Sequence, residues 1–270
     1  MKTTWIHAST PYPIYIGQQL LETALLADCC TQINKRLVII TDTNLVNSLG
    51  IQLQQQLQQQ GLQALLLACP AGEIHKTRET KQQLEDELLA RQYGRDTCLI
   101  ALGGGVVTDL VGFLAATYCR GLPVIYVPTT LLAMVDASIG GKTGVNTPHG
   151  KNLIGTFTQP QAVFMDINTL NTLPENEWHN GMAEMIKHSL IADATIFKLL
   201  QQNVEKIIQR DAIFLIDMIH ASCLIKKNIV EQDEQEQGLR QLLNFGHTIG
   251  HAIETIEHYR LSHGEAVAIG

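Results

Sequence analysis

Across its first 170 residues the chain alternates short β-branched runs with helical stretches, and this alternation limits the possible folds more than any other feature. Arg36 to Thr41 (RLVIIT), Leu62 to Ala68, Thr97 to Leu102 (TCLIAL), Val124 to Val127 and Ala162 to Met165 read as strands, each short, apolar and closed by a polar or turn residue. Between them, Asn44 to Gln60 ends at Gly61 and Thr77 to Gln92 ends at Gly94; a polar cap first and a glycine after is helix punctuation. Leu53 and Leu57 keep helical spacing inside the glutamine-rich Gln52 to Gln60 run, so it reads as a solvated amphipathic helix rather than a low-complexity tract. Strands alternating with helices predict a mostly parallel sheet covered on both faces. After Asp166 the period changes: 177–191, 194–209, 212–231 and 238–258 all show helical apolar spacing and no strand signal returns. The chain therefore divides near residue 170 into an α/β domain, 1–170, and an all-α domain, 171–270.

Composition narrows the function. With 45% hydrophobic and 17% charged residues, disorder is excluded, and no apolar run approaches the ~18 residues of a bilayer span, so no membrane role is expected. A net charge of −7 argues against a nucleic-acid binder, which needs a basic face, but leaves room for an anionic small molecule held in one cationic cleft. The amino terminus, MKTTWIHASTPYPIYIG, has no apolar signal core. The six cysteines (Cys29, Cys30, Cys69, Cys98, Cys119, Cys223) form no C-x-x-C pair and read as reduced thiols, so a cytoplasmic protein is expected.

Three clusters carry chemistry. TCLIAL runs into Gly103-Gly104-Gly105 and a helix starting near Val106; glycines there let a backbone approach a phosphate at a helix N-terminus, and also suit a plain tight turn. The G-x-G-x-x-G fingerprint is not met, because position 108 is Thr. Asp42, after another strand, suits either ribose hydroxyls or a helix cap. A second cluster joins Pro128-Thr129-Thr130, Asp136 to Asn146 (DASIGGKTGVN) and His149-Gly-Lys151-Asn152; lysines among glycines and hydroxyls suit phosphate or carboxylate better than a plain surface loop. In the third, Arg240, Asn244, His247, His251, Glu254 and His258 follow spacings of 4, 3, 4, 3 and 4, which places them on one face of a single helix, with Leu242, Leu243, Ile249 and Ile253 opposite. His247 and His251 are spaced as a metal pair, while His263 and Glu184 are also available; spacing does not choose among them.

GGGVVTDLVGF, VPTTLLAMVDASIGGKTGVN, HGKNLIGTF, GMAEMIKHSLI, LNFGHTIGHAIE and HGEAVAIG, in this order, resemble 3-dehydroquinate synthase, a sugar phosphate cyclase family. The likeness runs from the region of Asp42 to Gly270. It implies a Rossmann-like NAD-binding domain followed by a helical metal- and substrate-binding domain, in a homodimeric enzyme that uses NAD and Zn2+ or Co2+. The implied reaction converts 3-deoxy-D-arabino-heptulosonate 7-phosphate to 3-dehydroquinate and phosphate in the shikimate pathway. Carried over, the metal ligands are Glu184, His247 and His263, leaving His251 for substrate or proton relay. Substrate contacts are Asp136, Lys142, Lys151, Asn152, Arg120, Lys187, Lys226, Arg240, Asn244 and His251. Cofactor contacts are Asp42, Glu73, Lys76, Gly104, Gly105, Asp109, Thr129, Thr130, Lys142, Lys151, Thr172, Leu173 and Glu177. Position 169 is Thr where many relatives carry an aromatic residue. Family members continue past the position of Gly270, with a further substrate-touching lysine there, so the expectation is a helical domain incomplete at its C-terminus and a chain of little turnover. The alternatives are a related cyclase, a polyol dehydrogenase that would release NADH stoichiometrically, or a non-catalytic NAD-binding fragment.

Overall fold

The computed structural model describes residues 1–256 and 261–270, without the side chains of His251 and Thr255. Its strands are β1 (Lys2–Ile6), β2 (Tyr12–Gly17), β3 (Arg36–Asp42), β4 (Ala64–Cys69), β5 (Thr97–Gly103), β6 (Val124–Pro128), β7 (Lys142–Thr147), β8 (Gly150–Phe157) and β9 (Ala162–Asp166). Seven form one sheet in the order β1-β2-β9-β6-β5-β3-β4. β1 is antiparallel to β2 and every other pairing in this sheet is parallel. The five strands expected from apolar runs are all present, because strands covered on both faces read as continuous hydrophobic sequence. Along β3, Val38 and Ile40 join the cluster under the central helix, while Leu37 and Ile39 join the opposite one, the period-2 alternation of a strand.

The helices are α1 (Ala24–Ile33), α2 (Ile51–Gln59), α3 (Arg78–Ala90), α4 (Gly105–Thr117), α5 (Glu175–Ala192), α6 (Ala194–Gln202), α7 (Val204–Ile208), α8 (Ala212–Gln232), α9 (His247–Ile256) and α10 (His263–Ile269). Leu26 of α1 and Leu53 and Leu57 of α2 cover one face of the sheet; Val107, Val111 and Leu114 of α4 cover the other. α8 ties the helical part to the N-terminal hairpin through Lys2–Asp217 at 2.6 Å and the His7 amide, which donates to Glu231 Oε1 at 2.5 Å. Among the described residues no helix is long and apolar enough to cross a membrane.

Four strands escape the sequence pattern. β1 is half exposed and β2 carries Pro13, while β7 and β8 form a separate antiparallel hairpin rich in glycine, lysine and threonine. Two expected helices are corrected. The single helix expected over 238–258 is broken: Leu239–Asn244 is a 3-10 turn, Gly246 sits at φ +79, and α9 starts only at His247. Arg240 and Asn244 therefore lie on a different element from His247, and the stripe is not one helical face. Its supposed apolar back is also partly wet, with Leu242 and Ile249 exposed. Residue 194–209 likewise splits into α6 and α7. His258 and the side chain of His251 lie outside the described residues.

Candidate active site

The parallel strands end together at Asp42, Gly103, Pro128 and Asp166, so the loops that follow form one crevice, where open α/β sheets place ligands. At its floor, α4 begins at Gly105 with no side chain capping it, which leaves first-turn amides and the helix dipole facing the crevice. The triple glycine makes a closely packed turn, since a Cβ on Gly104 would lie 2.9 Å from Thr130 Cγ2. The Thr129 amide donates to Gly103 O (2.9 Å), joining the two loops, and Thr130 Oγ1 accepts from the Ala133 amide (3.1 Å). Asp42 accepts from the amides of Asn44 and Leu45, the geometry of a cap.

Lys76 is buried and pairs with Asp109; its Nζ also donates to Asn152 Oδ1 at 2.6 Å. Burial pushes the Asp109 carboxyl up, against the pull of Lys76. Glu73 accepts from Asn146 Nδ2 at 2.8 Å. The β7–β8 hairpin thus hangs beside the α4 end of the crevice, and Asn152 stands with Lys76 rather than with the metal donors. Thr172 and Leu173 follow β9 on the same side, and Glu177 in the first turn of α5 accepts from Asn180 at 3.4 Å.

The other wall comes from the helical part. Glu184, Lys187 and His188 share one face of α5 at i, i+3 and i+4. Lys187 pairs with Glu184 and also donates to Leu243 O at 2.6 Å. Lys226 on α8 pairs with Asp136, whose backbone oxygen it also meets at 2.8 Å. Burial alone would raise the Asp136 carboxyl, but Lys226 and Lys187 hold it far below the usual carboxylate range. Burial pushes Lys226 down, with Asp136 opposing. Arg240 is 1% exposed, donates to Glu234 O at 2.6 Å and packs against Gly140, where a Cβ would stand 2.5 Å from Arg240 Nη2. With φ +89 as well, position 140 admits only glycine without strain.

Glu184 is fully buried, and its Oε1 has no hydrogen-bond partner among the described residues. The same atom lies 3.7 Å from Nε2 of His247 and 3.7 Å from Nε2 of His263. One carboxylate and two imidazoles converging on a dry, unsatisfied oxygen suit a zinc-like ion with an open coordination position. Burial, then Lys187, pushes His247 down to about 4, leaving it in the neutral form a metal needs. Burial also raises the Glu184 carboxyl, reinforced by the Asp136 charge. For His263, burial acts downward but the Glu254 hydrogen bond and the Glu184 charge outweigh it, so the net shift is upward.

Three groups at the site went unassigned in the sequence. Glu236 pairs with Lys142 and accepts from Asn244 Nδ2 at 3.0 Å; its acid-rich surroundings, EQDEQEQG, read as a solvated loop. His188 places Nδ1 2.7 Å from Ser222 Oγ; in the sequence it lies beside Lys187 and Ser189, where nothing distinguishes it from a surface histidine. Glu254 contacts both Lys151 and His263. Arg120 stands apart: α4 carries the chain back across the sheet, and Arg120, exposed at φ +68, sits before the start of β6.

A dinucleotide-type sheet edge, a Glu-His-His donor set and a bank of buried cations define a nucleotide- and metal-dependent enzyme that acts on an anionic substrate. Sequence profiles described as 3-dehydroquinate synthase N-terminal and C-terminal match residues 66–180 and 181–270. The chain belongs to the 3-dehydroquinate synthase family. It is 48% identical to the 3-dehydroquinate synthase of Nitrosospira multiformis over 277 aligned positions, covering all of this chain and 75% of that protein. Among solved structures, 2-epi-5-epi-valiolone synthase from Streptomyces hygroscopicus subsp. jinggangensis 5008, with NAD+ and Zn2+ bound, superposes with a TM-score of 0.89 at 32% identity, over 97% of this chain and 73% of that one. A 2-deoxy-scyllo-inosose synthase complexed with carbaglucose-6-phosphate, NAD+ and Co2+ gives 0.88 at 29% identity, over 99% and 74%. The chain thus spans about three quarters of the length of these relatives.

Proposed function

We propose that the chain catalyses the reaction of its family, converting 3-deoxy-D-arabino-heptulosonate 7-phosphate to 3-dehydroquinate and phosphate with NAD and Zn2+ or Co2+. The observation that carries this reading is the orphaned Glu184 Oε1 between two imidazole nitrogens, set directly beside the buried cations Lys187 and Lys226. A metal centre alone fits many enzymes; one flanked by enclosed cations selects an anionic substrate. When bound, NAD and the metal supply reversible oxidation of one alcohol and Lewis-acid polarisation of its oxygen.

The chain's own residues do the rest. Glu184, His247 and His263 hold the ion; the α4 amides at Gly104 and Gly105, with Lys76 and Asp109 nearby, hold the dinucleotide. Lys142, Lys187, Lys226 and Arg240 hold the substrate's carboxylate and phosphate, and charge-assisted bonds of this kind keep the reacting carbon in place through phosphate elimination, re-reduction and aldol closure. Asp136 stays ionised beside Lys226 and so keeps that ammonium directed into the site. Asn244 and Glu236 orient hydroxyl groups on the same side. Assembly as a homodimer in the cytoplasm belongs to this reading; Arg120, remote from the site of its own chain, reaches a substrate only if a second copy presents it.

Phosphate release from the heptulosonate phosphate is the test, with NAD held below the substrate concentration. The reading expects many phosphates per NAD and no accumulating NADH. NADH accumulating one-for-one with substrate consumed, and stopping when NAD is exhausted, would show a polyol dehydrogenase instead. His247→Ala is expected to lose bound metal while NAD binding persists; equal zinc content in both proteins would refute the ligand assignment.

A further inference from the structure

Glu254 projects from α9 into the site, 2% exposed, yet it is not a member of the converging metal-donor group. Its Oε1 lies 3.4 Å from Nδ1 of His263 and 3.1 Å from Nζ of Lys151 on β8. The other nitrogen of the same imidazole, Nε2, faces Glu184 Oε1 at 3.7 Å. A metal-binding histidine must present one nitrogen bare and the other protonated, and the group that accepts from the protonated nitrogen fixes both tautomer and ring rotation. Glu254 has the placement for that work and His263 needs it, since α10 is only seven residues long.

We infer that Glu254 is a positioning residue for the metal centre: its carboxylate accepts from His263 Nδ1–H, which commits Nε2 to the ion. Lys151 bonds the same oxygen and anchors the carboxylate, so the β7–β8 hairpin and His263 share one acceptor. The inference rests on the proposed metal site but tests separately from the reaction, because its readout is metal affinity.

Wild type, Glu254→Gln and Glu254→Leu are titrated with zinc against a chelator of known affinity, alongside thermal unfolding of each metal-free protein. Removing such an outer partner weakens metal binding about 10- to 100-fold, which is the loss expected for Glu254→Leu. Glu254→Gln keeps an oxygen that accepts from Nδ1–H and is expected to lie between wild type and Glu254→Leu, with metal-free unfolding close to wild type. If Glu254→Leu does not fold, Glu254→Ala takes its place: zinc binding weaker than in wild type and in Glu254→Gln supports the role. Zinc affinity within about twofold of wild type in the variant that lacks the acceptor overturns it. Loss of zinc affinity in wild type itself would instead refute the metal site.

Discussion

His188 is fully buried on α5 with Nδ1 against Ser222 and Nε2 without a hydrogen-bond partner among the described residues. Burial pushes the imidazole down to about 3. The unfolded chain binds that proton near ~6.5, so between the two values the unfolded state carries more protons and stability rises with pH. As pH falls from neutral toward about 3, this group withdraws stability at up to about 1.4 kcal/mol per pH unit. Urea denaturation of wild type and His188→Gln across the acid range reads the difference: the variant is expected to lose less stability on acidification. Identical slopes would show that His188 is protonated in the folded protein. Residues of this kind are the hardest to read from sequence. Lys187 and His188 are neighbours in one helical run, yet Lys187 pairs with Glu184 one turn back and with Leu243 O, while His188 is enclosed against Ser222 of α8 as a neutral base. Lys142, by contrast, announces itself through the glycines around it.

Elements were legible where burial is symmetrical. β5, β6 and β9 are covered on both faces, so their sequences are apolar throughout and their limits fall within a residue or two of the pattern. The break at Gly246 was not, because spacings of 3 and 4 persist across it: a 3-10 turn followed by a helix keeps the same polar and apolar order as one unbroken helix. The break has consequences for the site, since it leaves Arg240 buried on the 3-10 turn and starts α9 on His247, a member of the converging donor group. At φ +79 a side chain at 246 is strained, and its Cβ would lie 2.7 Å from Val267 O on the helix that carries His263. Gly246→Ala is therefore expected to cost the ~1–2 kcal/mol of a left-handed residue plus a steric share, and to weaken zinc binding by moving both histidines. Gly61→Ala is the control, with φ +81 and open space around its Cβ. Equal destabilisation by the two substitutions, with zinc binding intact in Gly246→Ala, would show that Val267 yields and the break does not set the ligands.

At the scale of the whole molecule, a chain of net charge −7 buries Lys76, Lys187, Lys226 and Arg240, all 5% exposed or less. Cations that deep are tolerated only when paired, and here the partners are Asp109, Glu184 and Asp136 for the lysines and a backbone oxygen for Arg240. Three acids thus balance four buried cations, and Glu184 is the acid with a free oxygen for metal. A multivalent anion entering the crevice supplies the charge that the fold withholds, so it should bind the folded state alone and stabilise it. At a hundredfold excess over its dissociation constant such a ligand adds ~2.7 kcal/mol, equivalent to about 5–10 °C in Tm for a domain of this size. Thermal unfolding in inorganic phosphate against chloride of matched ionic strength measures it, with Lys142→Ala as the second arm. Lys142 is half exposed on the hairpin, so its loss should leave the Tm in chloride nearly unchanged while reducing the phosphate increment. The reduction corresponds to losing a charged hydrogen bond worth about 1.5–3 kcal/mol of anion affinity, roughly a 10- to 150-fold rise in the phosphate needed. A phosphate increment no larger than chloride's would mean that the buried cations are fully neutralised by their own acids. The crevice would then be a structural ion-pair network, not an anion site.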